Sequence, residues 1–80
     1  MDVYDEAVGT WGFGSQMGKA IEKCAELIVA LQKGTGVIEK IADVEVACGS
    51  LRVIFGSELV DAAKEAKLAR LRDLLGEEKA

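Results

Sequence analysis

Apolar positions recur at helical spacing through most of this chain and delimit three long helices. Between residues 16 and 33, Met17, Ala20, Ile21, Cys24, Leu27, Ile28 and Leu31 fall three and four apart, the spacing of one helical face. Between 37 and 55 the stripe is Val37, Ile41, Val44, Cys48, Leu51 and Phe55, and a second set (Ile38, Ala42, Val46, Val53, Ile54) covers much of the remaining circumference. Between 58 and 75, Leu59, Ala62, Ala63, Ala66, Leu68, Leu71, Leu74 and Leu75 alternate with an outer face of Lys64, Lys67, Arg70 and Arg72. Basic residues there suit the negative end of the helix dipole.

Turn residues punctuate these runs. Ser15 is placed to cap the first long helix, and Gly34-Thr35-Gly36 closes it in a connection so short that the next helix must run back antiparallel. Gly56 ends the second, Ser57 caps the third, and Gly76 ends that one. The expected organisation is therefore an N-terminal segment at 1–15 with room for a short helix, a helical domain at 16–76 and a frayed tail at 77–80. A helix apolar nearly all round is a buried helix, and two other helices of an 80-residue chain do not cover it. A second subunit is expected to complete the bundle. Gly49, in mid-helix at a cost of about 1 kcal/mol against Ala, marks a point of close helix approach.

Composition narrows the chemistry. The absence of proline and the aliphatic content favour helices, and no apolar run reaches the length of a membrane span. Net charge is −4 with acids and bases interspersed, which offers no basic field for nucleic acid. The acidic start, Met1-Asp2-Val3-Tyr4-Asp5-Glu6, does not read as a signal peptide. Cys24 and Cys48 lack CxxC spacing and read as reduced thiols, with a helix-to-helix disulfide as the alternative, and the expected setting is cytoplasmic. There is no histidine, and any metal would be a hard cation such as Mg²⁺ held by carboxylates.

Candidate chemistry lies in a short duplicated pattern. Glu22-Lys23-x-x-Glu26 on one helix and Glu39-Lys40-x-x-Asp43 on the next each place a lysine beside two acids, inside strongly apolar runs. Such patterns on helices are commonly solvated ion pairs. Here the Gly-Thr-Gly turn sets the two copies side by side, where four facing acids would repel without cations between them. Trp11 and Phe13 read as packing over the end of the bundle, with stacking against a nucleobase as the alternative.

The chain at this point resembles the MazG-like all-α nucleoside triphosphate pyrophosphatases of the small standalone phage and bacterial type. The resemblance runs from Trp11-Gly12 and Gln16 through Ile21-Glu22 and Glu26-Leu27-Ile28 to Ile41-Ala42-Asp43-Val44-Glu45. It continues at Leu51, Phe55, Lys64, Lys67-Leu68 and Arg70-Leu71. It implies a helical dimer or tetramer whose ExxE and ExxD carboxylates bind Mg²⁺ and whose pocket holds a nucleotide. Glu26 and Asp43 match two ligand positions; the other two are Lys23 and Lys40.

Two ammonium groups in place of two carboxylates bring the cluster near neutrality and oppose a dication by Coulomb repulsion. They can contact phosphate directly. The resemblance then implies a nucleotide-binding protein that no longer hydrolyses, with Lys23, Lys40, Glu22, Glu26, Glu39, Asp43, Trp11 and Gln16 as ligand-binding candidates and no cofactor. Sequestration of a nucleotide-derived signal, as by a phage anti-defence sponge, fits that reading. One alternative is an active Mg²⁺-dependent pyrophosphatase with Glu22, Glu26, Glu39 and Asp43 as metal ligands. Another is a purely structural helical oligomer.

Overall fold

A computed structural model describes residues 2–79, and all its regular elements are helices: α1 (Val3–Trp11), α2 (Phe13–Lys33), α3 (Val37–Phe55) and α4 (Ser57–Lys79). The all-α expectation holds. Helices α2 and α3 form an antiparallel hairpin, α1 lies across one end of it against both, and α4 packs on α3 alone. No helix of the described residues is long and apolar enough to cross a membrane.

Helix boundaries follow local chemistry, with three departures from expectation. Asp2 caps α1, its carboxylate accepting from the N–H groups of Tyr4 and Asp5 at 3.0 and 2.9 Å. α2 begins at Phe13 rather than about residue 16, and Ser15 is therefore not its cap; Gly12 alone makes the corner between α1 and α2. α4 starts at Ser57 itself, whose hydroxyl accepts a hydrogen bond from Arg52 Nη1 at 3.2 Å. α4 also runs through Gly76 to Lys79, so 77–79 is helical where a frayed tail was expected; Ala80 lies outside the described residues. A single glycine costs an exposed helix about 1 kcal/mol, which does not by itself end it. The turn after α2 is as anticipated: Gly34 sits in the left-handed region at φ 73°, and its N–H closes on the Ala30 carbonyl at 2.7 Å.

Gly49 meets the ring of Tyr4. A Cβ at this position would collide with Cε1, Cζ and Cδ1 of that ring, so glycine is what lets α1 lie flat on α3. At the other corner, Gly56 has φ 106°, and Arg52 Nη1 reaches across it to Asp61 Oδ1 at 2.6 Å. That link spans the corner between α3 and α4.

The seam between α2 and α3 is not the stripe of largest apolar residues. On α2 the covered positions include Gln16, Ala20, Lys23, Leu27 and Ala30, with Glu26 beside them; on α3 they include Val37, Lys40, Val44, Ala47, Leu51 and Ile54, with Asp43 and the buried Ser50 beside them. The two longer rows each keep the 3-4 spacing of one helical face. Small residues at Ala20, Ala30 and Ala47 allow close approach. Among the described residues, the buried apolar side chains are Val8, Ala20 and Ala30. Met17, Ile21, Ile28 and Leu31, expected to face the core, are instead exposed on the outer side of α2.

The molecule is correspondingly open. Its radius of gyration is 15.5 Å over a 51 × 34 × 18 Å envelope, against about 11.6 Å for a compact chain of this length. It exposes 6072 Å², about 1,400 Å² more than the ~4,650 Å² typical of a folded monomer of its mass.

Candidate functional site

Lys23 and Lys40, the two lysines in the hairpin seam, meet Glu26 and Asp43 between α2 and α3. Lys23 Nζ lies 3.6 Å from Glu26 Oε1 and 3.9 Å from Asp43 Oδ2. Lys40 Nζ lies 3.2 Å from the same Glu26 oxygen and 3.9 Å from the same Asp43 oxygen. Each ammonium thus touches both carboxylates, and the four groups close a ring in which charges alternate. Pairing within each helix and pairing across the helices occur together. The side chains retain between 27% and 39% of their exposure, so the ring is accessible from solvent.

Glu26 is the electrostatic centre of the ring. The hydrogen bond from Lys40 holds its carboxyl below the ordinary value of 4.5; partial desolvation opposes this, and the charges of Lys23 and Lys40 add to the lowering.

Glu22 and Glu39 are not brought to this point. Both are exposed, and neither enters an ion pair among the described residues. No group of three Asp, Glu or Cys side chains converges in metal-binding fashion among those residues. The alternative Mg²⁺ set of Glu22, Glu26, Glu39 and Asp43 is thus split into two members in the ring and two outside it.

The ring borders an open cavity of about 510 Å³ lined by α1, α2 and α3. Tyr4 and Trp11 of α1 form its aromatic side, and Val46 and Ala47 of α3 continue the apolar lining. Polar groups come from Ser15, Gln16, Lys19 and Lys23 on α2 and from Asp43 and Ser50 on α3. Gln16 and Ser50 are buried to 9% and 4% of their exposure yet lie on the cavity wall. A buried amide and hydroxyl facing open space supply donors and acceptors to whatever enters. On the far side of the ring, Glu26 and Lys40 line a second, smaller cavity of about 360 Å³ with Lys33 and Thr35.

Of the residues singled out from sequence, Lys23, Asp43, Trp11 and Gln16 share the larger cavity, and Glu26 and Lys40 join them through the ring. Phe13 is exposed and absent from the cavity wall. Tyr4, Ser15, Lys19 and Ser50 are additional. Lys19 was legible as the residue one turn before Lys23 on the same face. Ser50 carried no signal, because its position depends on which side of α3 meets α2.

Comparison of the chain with protein-family models, curated proteins and solved structures yields no match.

Proposed function

We propose that this chain is a MazG-like helical protein that binds and sequesters a phosphate-bearing nucleotide or nucleotide-derived signal without hydrolysing it, as an oligomer. The observation that carries this reading is the adjacency of an aromatic-walled cavity to two lysines that stand where the resembled family has metal-binding acids. Planar bases gain from contact with aromatic faces such as those of Tyr4 and Trp11. Gln16 and Ser50 offer hydrogen bonds to the edge of the base. Lys19 and Lys23 lie at i,i+4 and present two ammonium groups to a phosphate on the same cavity wall.

Binding exchanges partners within the ring. Lys23 turns from Glu26 and Asp43 toward the phosphate, while Lys40 stays hydrogen-bonded to Glu26 and keeps that carboxylate from facing the incoming anion unpaired. No bond of the ligand is broken in this scheme. The lysines supply the charge that a metal ion would otherwise bring.

A second reading is favoured by the placement of both lysines in the helix–helix seam. Charged residues at core seam positions can fix register at a cost in stability, and the ring would then be a structural lock in a helical oligomer. Isothermal calorimetry against a panel of nucleoside mono-, di- and triphosphates, with Mg²⁺ and with EDTA, separates the readings. Heat that persists in EDTA and weakens in Lys19→Ala and Lys23→Ala supports sequestration. Pyrophosphate release that requires Mg²⁺ would replace it with the enzymatic alternative. Silence across the panel would leave the structural lock.

A further inference from the structure

The larger cavity carries little net charge. Lys19, Lys23 and Asp43 are the charged side chains on its wall among the described residues, and two ammonium groups less one carboxylate leave +1. Lys40 and Glu26, the other two members of the ring, cancel each other and leave that sum unchanged. Lys19 enters no ion pair among the described residues. Lys23 stands 3.6 and 3.9 Å from its two carboxylates, beyond hydrogen-bond distance of both, so its donors are open to a ligand. Any anion that Lys23 takes up meets Asp43 beside it.

Gln16 and Ser50 supply a second, independent observation. Both are more than nine-tenths buried and both lie on this wall. Neither side chain is hydrogen-bonded among the described residues. No polar side-chain atom there is sealed away without a partner, so the amide and the hydroxyl open into the cavity. Trp11, by contrast, stands 65% exposed at the rim.

Resting on the sequestration reading above, we propose that the ligand of this cavity is a nucleotide held through a phosphodiester, cyclic or linking two nucleosides. A diester carries a single negative charge, which neutralises the wall. A terminal monoester carries about 1.5–2 at pH 7, and a triphosphate carries more still. That surplus faces Asp43 with no cation left to offset it, in partly desolvated surroundings where like charges repel more strongly than in water. The triphosphates cut by the resembled family are therefore the poorer fit. A diester also bears a substituent on each side of its phosphate. One has Gln16 and Ser50 to bond with, and the other has Trp11 to lie against.

The test is competition binding in EDTA at fixed ionic strength, read by the emission of Trp11 and by calorimetry. For each base, the 3′,5′-cyclic mononucleotide and the dinucleoside monophosphate are set against the 5′-mono-, di- and triphosphate. Wild type should bind a diester roughly tenfold or more tightly than the other phosphates of the same base, the scale of one charged contact. Asp43→Asn removes the carboxylate from the wall and should move the diester-to-monophosphate ratio toward the monophosphate by about the same factor. Lys19→Gln should weaken the diester. Each ratio is read within one protein, so altered stability does not move it, and the wild-type comparison decides by itself if a variant does not fold. Triphosphate bound as tightly as the diester would overturn the diester and leave sequestration standing. So would a ratio indifferent to Asp43→Asn in a folded variant, or binding of triphosphate that outruns the diester once Mg²⁺ is added. Silence across every phosphate would overturn the diester and sequestration together.

Discussion

Gly49→Ala tests the packing that closes the larger cavity, and opposing effects make its sign informative. On helix propensity alone, alanine in mid-α3 should stabilise by about 1 kcal/mol. The added methyl, however, points into the Tyr4 ring, with three ring carbons inside contact distance. Overpacking of this kind costs typically 1–3 kcal/mol. If the ring is displaced instead, its burial is lost at a comparable cost, about 1.5–3 kcal/mol for a large side chain. The methyl meets a rigid ring on a short helix, so the upper half of the range applies, and the net effect should be destabilisation of about 1–2 kcal/mol. For a domain of this size that corresponds to a fall in Tm of about 4–16 °C. The assay is thermal and urea unfolding at one fixed chain concentration, because association shifts apparent stability. Tyr4→Ala is the key control. In its background the ring is gone, and Gly49→Ala should reverse sign and stabilise by up to about 1 kcal/mol, a coupling that a double-mutant cycle isolates. A single Gly49→Ala variant more stable than wild type would refute the close approach of α1 to α3, and with it the cavity wall that Tyr4 supplies.

The remaining predictions concern the ring and the cavity. Lys23→Glu with Lys40→Glu turns the alternating ring into four carboxylates; the double variant should be destabilised without metal and recover with Mg²⁺ or Mn²⁺, and a melting curve indifferent to both ions would refute this. Folding lowers the pKa of Glu26 beneath 4.5, so its contribution is complete above that pH and disappears as pH falls through the lowered value. Glu26→Gln should therefore lose less stability than wild type between about pH 6 and about pH 3, and identical losses would show that the Lys40 hydrogen bond does not persist in solution. Trp11 is 65% exposed on the cavity rim, so a nucleotide ligand should change its emission, while Trp11→Ala should weaken binding with little change in Tm. A ligand that binds equally well to Trp11→Ala does not stack there.

Helical class, the antiparallel hairpin and the meeting of the lysines with Glu26 and Asp43 were legible in the sequence because they depend on local spacing. Residues three and four apart share a face whatever surrounds the helix, and a turn as short as Gly34-Thr35-Gly36 leaves few ways to connect two helices. The tight point at Gly49 was legible for the same reason, since a mid-helix glycine has a cost that something must offset. Which face of each helix turns inward was decided by tertiary structure. The larger apolar stripe of α2, from Met17 to Leu31, was the natural candidate for the core, yet the chain turns inward the row of Gln16, Ala20, Lys23, Leu27 and Ala30. Hydrophobicity is non-directional: it requires that apolar surface be covered, without specifying whether the same chain covers it. Small residues admit close backbone approach, and the lysine–carboxylate ring satisfies the charges that such a seam encloses. The cavity depends on the same choice. Gln16 and Ser50 become buried polar neighbours of Tyr4 and Trp11 only because α1 crosses the end of the hairpin, and no periodicity in one strand of sequence records that crossing.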